Sequence, residues 1–173
     1  RLAAYDPLTE ALNRLAFMNL AEGQMARARR SGEPCAMLMI DIDHFKRVNG
    51  RFRREAGDRV LRELAAQLRG GLRAGDLVGR YGGEEFCVLL PNTAPESALE
   101  VAERVRAAVA ARRLGGVSPT VTVSIGVTAC EPQAAGALHV AIASAERALA
   151  RAKKDGCNRV AGPALPRRTR RAA

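Results

Sequence analysis

Four acidic residues stand in two pairs whose spacing could bring carboxylates together. Asp41 and Asp43 follow a continuous apolar run at residues 35–40, and Glu84 and Glu85 follow two glycines. Hard divalent cations such as Mg²⁺ prefer carboxylate and carbonyl oxygens and keep room for water and phosphate. The pattern therefore fits a Mg²⁺ site at two strand ends. Aspartates that cap the following helix and glutamates on a solvated hairpin explain the same spacing, so both interpretations stay open at this point.

The glycine pair Gly82-Gly83 separates two strand-like segments, residues 77–81 and 84–90. This spacing predicts a tight hairpin whose turn requires a positive φ. The pair is either a plain turn or a place where a planar base or a phosphate approaches the backbone closely, because no Cβ intervenes.

Hydrophobic periodicity predicts the elements that position these residues. The helical spacing of apolar residues predicts five helices, over residues 8–30, 44–49 and 57–72, after Pro95, and over residues 138–154. In the first of these helices the spaced residues are leucines. Asp6 or Thr9 is expected to cap the first helix, and Ser31-Gly32 to end it. Further strands are predicted at 35–40, 121–128 and 158–161. Because a hairpin lies in the middle, a purely parallel sheet is excluded, and an α+β fold with a sheet covered by helices is expected.

Length and composition indicate one globular domain. The chain has 173 residues, with 47% apolar and 27% charged residues, and no apolar run approaches the roughly 20 residues of a membrane helix. The four cysteines form no CxxC pair, which argues against a disulfide framework or a zinc site and fits a reducing cytoplasm. We expect one domain over residues 1–161 and a basic, disordered tail over 162–173. The start at Arg1 suggests a piece of a longer protein.

The chain carries a formal net charge of +10, of which the arginines of the tail contribute four. The excess suits an anionic ligand, and it equally suits a solvated, arginine-rich surface. Nucleic acid is not favoured as a partner, because aromatic residues are only 3% of the chain and Trp is absent.

Residues 80–86, Arg-Tyr-Gly-Gly-Glu-Glu-Phe, resemble the signature of GGDEF domains, the diguanylate cyclases, in its GGEEF form. Other segments resemble further family motifs in the same order. These are residues 6–14 (DxLT and LxNR), 41–49 (DxDxFKxxN), 57–61 (GDxxL), 124–127 (SIGV) and 152–158. So many ordered motifs, spanning about residues 6–161, make coincidence an inadequate explanation.

The resemblance implies a nucleotide-cyclase fold, palm-like and ferredoxin-like, with a mainly antiparallel sheet. It implies that two GTP molecules, one per subunit of a homodimer, condense to cyclic di-GMP and pyrophosphate with two Mg²⁺ or Mn²⁺ ions per reaction. The metal ligands would be Asp41, Glu84, Glu85 and the Ile42 carbonyl. Glu84 would also lie near the attacking hydroxyl as a candidate base.

The same resemblance implies the residues that bind substrate. Asn49 and Asp58 would read the guanine edge, since an amide and a carboxylate complement its acceptors and donors. The remaining substrate contacts would come from Phe45, from Lys46 and Lys153 at the triphosphate, and from Gly82 and Gly83 at the hairpin.

A second site follows from Arg73-Ala74-Gly75-Asp76, an RxxD sequence placed where the family has its product-inhibition site, with Arg104 as an auxiliary arginine. Arg73 would grip guanine or phosphate, and Asp76 would accept from guanine N–H groups. A loop ion pair between Arg73 and Asp76, and an i,i+4 pair of Arg104 with Glu100, are the structural alternatives.

The chain departs from the family pattern at four positions: Gly50 replaces an Asp, Arg53 and Arg54 replace Gly-His, and Cys157 replaces a triphosphate-binding Arg. Losing that arginine would weaken GTP binding by about one to two decades, unless Arg53 or Arg54 compensates. The alternative function is therefore a catalytically weak or inactive domain that binds cyclic di-GMP or GTP as a receptor. An upstream sensor domain and a location in the cytoplasm, alone or as part of a membrane-attached protein, are also expected.

Overall fold

The computed structural model describes residues 4–118 and 120–163, so the predicted basic tail lies, from residue 164 on, outside the described residues. Within these residues the fold has four α-helices and five strands, with one short 3-10 helix (Leu114–Gly116) after the third α-helix. The α-helices and strands are α1 (Arg14–Ser31), β1 (Cys35–Ile42), α2 (Phe45–Gly71), β2 (Leu77–Arg80), β3 (Glu85–Pro91), α3 (Pro95–Ala110), β4 (Val123–Ala129), α4 (Ala137–Lys154) and β5 (Val160–Ala161). Among the described residues, no helix is both long enough and apolar enough to cross a bilayer.

The strands form one sheet in the order β2-β3-β1-β4-β5. Every neighbouring pair is antiparallel except β4 and β5, which run parallel. The expected α+β class with a mainly antiparallel sheet is thus confirmed.

The central strand β1 is buried along its whole length because helices cover both faces of the sheet. Successive side chains of a strand point to opposite faces. Leu38 and Ile40 accordingly pack in the core beneath α2 and α3, while Met37 and Met39 pack in the core beneath α1 and α4. A continuous apolar run, without polar alternation, is the sequence that such a doubly covered strand requires.

The predicted start of the first helix at residue 8 is wrong. Helix α1 begins at Arg14, and the side chain of Asn13 caps it by accepting from the Ala16 N–H at 2.9 Å. The leucines that suggested the earlier start do not form the buried face, since Leu15 and Leu20 are exposed. The face that packs on the sheet is instead Phe17, Ala21, Met25 and Ala28. The predicted end is right, because Gly32 closes the helix with φ 71°.

The two helices predicted over 44–49 and 57–72 form one helical segment with a kink. Arg53 has φ 68° and ψ 169°, which breaks α2 between a short first part and a longer second part. The kink folds the first part back so that the side chain of Asn49 lies against Gly57.

The hairpin between β2 and β3 is wider than the predicted two-residue turn. The Tyr81 N–H donates to the Glu85 carbonyl at 2.8 Å, which leaves residues 82–84 in the turn. Neither Gly82 nor Gly83 has a positive φ, so that part of the prediction is also wrong.

Gly126 on β4 lies directly against the backbone of α4. A Cβ at this position would come within 2.1 Å of the Ala145 carbonyl oxygen and 2.3 Å of the Leu149 nitrogen. Neither neighbour is a flexible side-chain end, so a larger residue forces the helix away from the sheet.

We expect Gly126→Ala to lower the free energy of unfolding by about 1–3 kcal/mol, as overpacking does in well-packed cores. Gly23→Ala is the matched control, because Gly23 lies in α1 with open space around its Cβ position. There the same change should stabilise by about 0.5–1 kcal/mol. Urea denaturation of both variants measures the difference, and equal effects at the two positions would contradict this packing account.

Candidate active site

The ends of β1 and β3 bring two of the predicted acidic residues together. In the antiparallel register Asp41 pairs directly with Glu85. Directly opposed residues of an antiparallel pair project from the same face with Cβ atoms about 4.5–5.5 Å apart. Asp41 follows Met37 and Met39 on alternate positions, and it therefore lies on the face that α4 covers.

Lys153, at the end of α4, reaches the Asp41 carboxylate. Its Nζ forms an ion pair with Asp41 Oδ2, and the Asp41 side chain is only 11% exposed. The position follows from the helix, because Lys153 continues the stripe of buried residues that includes Ala145 and Leu149.

The charge on Asp41 is only partly compensated. Burial raises the pKa of Asp41 above its ordinary value, against the opposing hydrogen bond and charge of Lys153. The second carboxylate oxygen, Oδ1, is buried and has no hydrogen-bond partner. A buried acceptor without a partner is costly, and such atoms are typical of functional sites.

The two glutamates of the hairpin join the same electrostatic cluster. Burial and then the charge of Asp41 raise the pKa of both Glu84 and Glu85. The Glu85 side chain folds over the turn, since a Cβ on Gly82 would come within 2.5 Å of Glu85 Oε2. A side chain at position 82 would therefore displace the flexible end of Glu85, and no unusual φ requires a glycine there.

An arginine not expected to act in the site fixes the shape of this turn. Arg80 donates from Nη2 to the Gly83 carbonyl at 2.6 Å and from Nη1 to Asp6 Oδ1 at 3.0 Å. Asp6 also accepts from the N–H and the hydroxyl of Thr9. Burial raises the pKa of Asp6, but the hydrogen bonds from Thr9 and Arg80 outweigh it and hold the pKa below its ordinary value.

The acidic cluster fits a hard divalent cation in its chemistry. Asp41, Glu84 and Glu85 offer only oxygen ligands, and one of these oxygens, Asp41 Oδ1, is buried without a partner. Within the described part of the chain, no group of three or more His, Cys, Asp and Glu side chains is arranged closely enough to hold a metal ion by itself. Mg²⁺ is commonly held by one or two carboxylates together with water and substrate phosphates, so an incomplete protein shell suits it.

Asp43 acts on Asp41 by charge, since it adds to the rise in the pKa of Asp41 that burial mainly causes, but its own carboxylate is bonded to other elements. Its two carboxylate oxygens accept from the hydroxyls of Thr122 and Ser124, both at 2.7 Å, and from the Asn158 N–H at 2.9 Å. The capping alternative is not found, because His44 precedes α2 without a side-chain cap. Asp43 instead ties β4 and the segment after α4 to the end of β1.

The predicted guanine-binding residues lie at the kink of α2. Asn49 Oδ1 is buried without a hydrogen-bond partner, next to Gly57. Phe45 is buried and also contacts the Gly57 position, and Asp58 is half-buried. Lys46 is exposed, but its charge acts on the acidic cluster, because it partly opposes the rise in the pKa of Glu84 that burial causes. The unpartnered amide oxygen is available to a ligand with N–H donors.

Arg73, Asp76 and Arg104, the three residues of the predicted second site, line one cavity of about 280 Å³. Residues near the end of β3 and in α3 complete its wall. Asp76 Oδ2 accepts from the Arg73 backbone N–H at 2.8 Å. No guanidinium–carboxylate pair joins Arg73 to Asp76 in the described structure, so the loop ion pair is not found. Arg104 donates to the Gly71 carbonyl at 3.4 Å.

Residues 3–159 match the family model described as "Diguanylate cyclase, GGDEF domain". The chain belongs to this family. The GGDEF domain is 43% identical over 160 residues to diguanylate cyclase DgcP of Pseudomonas aeruginosa, covering 91% of this chain and 24% of that protein. It is 41% identical over 169 residues to response regulator PleD of Caulobacter vibrioides, covering 94% of this chain and 37% of that protein. The chain thus spans less than half the length of these relatives.

Solved structures give the same family and fold. The GGDEF domain of DgcB from Caulobacter crescentus, in complex with c-di-GMP, has a TM-score of 0.86 and 32% identity, covering 94% of this chain and 96% of that one. The active GGEEF domain of a diguanylate cyclase from Vibrio cholerae has a TM-score of 0.83 and 30% identity, covering 89% and 98%.

Sequence reasoning missed the structural roles of three side chains in this GGDEF domain: Arg80 at the turn, Arg106 on α3, and Asp43 after β1, which it had considered only as a metal ligand or a helix cap. Each of the three bonds to a residue more than 50 positions away along the chain. Arg80 also bonds to the Gly83 carbonyl of its own turn. The motif resemblance contained Arg80 and Asp43, but spacing alone gave no sign of their partners.

The raised pKa values of the hairpin glutamates predict a pH dependence of stability. Because Glu84 and Glu85 bind protons more tightly in the folded state, their contribution to the free energy of unfolding should fall as pH rises from about 4 towards 7. The double variant Glu84→Gln/Glu85→Gln removes the cost of holding these two carboxylates charged and partly buried. In metal-free buffer it should be more stable than the native sequence at pH 7, and the gain should disappear towards pH 4.

The matched control for this measurement is Glu22→Gln, which neutralises an exposed carboxylate on α1. Urea denaturation across this pH range should show no comparable gain for the control. A double variant that is less stable than the native sequence at pH 7 would contradict the desolvated state of these glutamates.

Proposed function

We propose that this GGDEF domain is a diguanylate cyclase that condenses two GTP molecules into cyclic di-GMP across a homodimer. The observation that carries the proposal is that Asp41 pairs with Glu85 across the strands, acts on the charge of both Glu84 and Glu85, and has one buried carboxylate oxygen without a partner. Membership of the family and the diguanylate cyclases among its relatives give the substrate class.

The reaction requires positioning more than covalent chemistry. The 3′-oxygen of each GTP forms a bond to the α-phosphorus of the other, the bond from that phosphorus to the β-phosphate oxygen breaks, and pyrophosphate leaves. Two such transfers give one cyclic di-GMP and two pyrophosphates. Each half-site holds one GTP, so the two hydroxyls and two phosphates meet only when two subunits face each other.

Asp41, Glu84, Glu85 and the Ile42 carbonyl would hold Mg²⁺ or Mn²⁺, which neutralises developing charge on the phosphates and acidifies a bound hydroxyl. Glu84 is the candidate acceptor of the 3′-hydroxyl proton. Its raised pKa moves it towards the neutral range in which a general base is effective. Lys153 and Lys46 would contact the triphosphate.

Guanine selection would rest on Asn49 and Asp58. The buried amide oxygen of Asn49 has no hydrogen-bond partner in this structure. A guanine edge offers N–H donors that could bond to it. A purine without those donors would leave the oxygen unpaired, which is the costly situation on which such discrimination depends. Phe45, Gly82 and Gly83 would complete the wall along which the nucleotide lies.

Incubating the domain, dimerised by fusion to a dimeric protein, with GTP and Mg²⁺ tests the proposal. We expect cyclic di-GMP by mass spectrometry, and a loss of about 100-fold or more in kcat for Glu84→Gln, as for removal of a general base. Glu22→Gln is the control and should keep full activity. No product at high protein concentration, beside an active reference cyclase, would contradict the proposal.

A second candidate function, a receptor for cyclic di-GMP, is favoured by Cys157 and by the cavity of Arg73, Asp76 and Arg104. Cys157 stands where the family places a phosphate-binding arginine, so affinity for GTP would be lower. An active enzyme with the same cavity would be inhibited there by its product.

Calorimetry with cyclic di-GMP examines this cavity directly. Arg73→Ala should weaken binding by about one to two decades, the cost of losing a charged hydrogen bond. Arg147→Ala, an exposed arginine on α4, should leave binding unchanged. Binding without GTP turnover by the native sequence would favour the receptor, and unaltered binding by Arg73→Ala would exclude this cavity from either role.

The partners that follow from this proposal are GTP, cyclic di-GMP and a second copy of the chain, with no nucleic acid. Because the relatives are much longer than this domain, an additional sensor or regulatory domain is a further part of the proposal. Such a domain would control the rate by bringing two subunits together, which acts through mass action. The proposed location is the cytoplasm, where GTP is available.

A further inference from the structure

The segment that follows α4 is held in a conformation that its residues do not favour. Gly156, Cys157 and Asn158 have φ values of 116°, 63° and 46°. Three consecutive residues on the positive side of φ, two of them with side chains, are unusual, and such a conformation persists only where surrounding contacts enforce it. We call residues 155–159 the α4 loop.

Two contacts from other elements hold the α4 loop at Asn158. Its backbone N–H donates to Asp43 Oδ2 at 2.9 Å, and its side-chain Oδ1 accepts from Arg106 Nη1 at 2.7 Å. The first contact comes from the end of β1 and the second from α3. The loop is thereby fixed from both sides.

Arg106 is itself fixed before it reaches the loop. Its Nε and Nη2 donate to the carboxylate of Glu103, at 3.0 Å and 2.6 Å, one turn earlier on α3. Its side chain is 19% exposed, far less than the 56% of Glu103. A guanidinium oriented by a bidentate pair presents its remaining donor, Nη1, in a defined direction.

The loop directly follows the lysine of the candidate active site. The Gly156 and Cys157 N–H groups donate to the carbonyls of Lys153 and Ala152, both at 3.2 Å. These bonds connect the loop to the last turn of α4, from which Lys153 reaches Asp41. Disorder in the loop would therefore loosen the residue that pairs with the central carboxylate.

We propose that Arg106 is a positioning residue: through Asn158 it holds the α4 loop, and with it the end of α4 that carries Lys153, in the geometry used to bind the triphosphate. The catalytic consequence rests on the proposed function, whereas the ordering of the loop does not.

Amide hydrogen exchange of the native chain and its variants tests the ordering, with no need for turnover. Arg106→Gln and Asn158→Ala should each speed exchange in the α4 loop by about tenfold, as expected for loss of a charged hydrogen bond. The double variant should exchange no faster than the faster single variant, because both remove one contact. Arg112→Gln, an exposed arginine just beyond α3, is the control and should match the native chain.

Steady-state kinetics then separate positioning from general damage. In an active dimer, Arg106→Gln should raise the KM for GTP by roughly fivefold to tenfold with kcat within about twofold, as for loss of uniform binding.

Unchanged exchange in Arg106→Gln, additive effects in the double variant, or faster exchange throughout the chain would overturn the proposal. An unchanged KM in an active enzyme would overturn its catalytic part. If the native chain makes no product, the proposed function fails and exchange alone decides the role of Arg106.

Discussion

The ion pair between Asp41 and Lys153 joins the end of the central strand to the last turn of α4, and the candidate active site is built around it. Burial makes the Asp41 carboxylate expensive to ionise, and a single lysine satisfies only one of its oxygens. A structure selected for stability alone would replace such a group, since a buried charge with one partner seldom repays its desolvation. Its position at a strand end, opposite a second carboxylate, suits the proposed cation site.

The alternation of side chains along β1 decides which groups can meet Asp41. Because this strand is covered on both faces, each step of one residue moves a side chain between the two cores. Asp41 faces α4, and so it meets Lys153 and, across the strand pair, Glu85. A register shift of one residue would move the carboxylate to the other core, away from both.

Local patterns predicted the strands well, because burial on both faces and a turn between strands leave direct marks in the sequence. The metal-binding role of the acidic residues stays a prediction. The first helix was predicted six residues too early for a physical reason. Asp6 and Thr9 have the residue types of a helix cap, but Thr9 donates to Asp6, and Asp6 also accepts from Arg80, 74 positions further along the chain. The kink at Arg53 and the width of the hairpin were equally inaccessible, since both depend on contacts made only in the folded chain.

The acidic cluster and the basic surface of the domain are complementary parts of one electrostatic arrangement. The first part of α2 carries five exposed cationic residues within nine positions: Lys46, Arg47, Arg51, Arg53 and Arg54. The positive charge of this segment does not offset the effect of burial on the three carboxylates, whose pKa values remain raised. It does create a positive potential beside them, which favours the approach of a polyanion while the carboxylates keep their oxygens for a cation. A nucleoside triphosphate that carries a divalent metal ion is the kind of ligand that satisfies both charges at once. Under the proposed function, the net positive charge and the three acidic side chains near the ends of the central strands would thus serve one ligand.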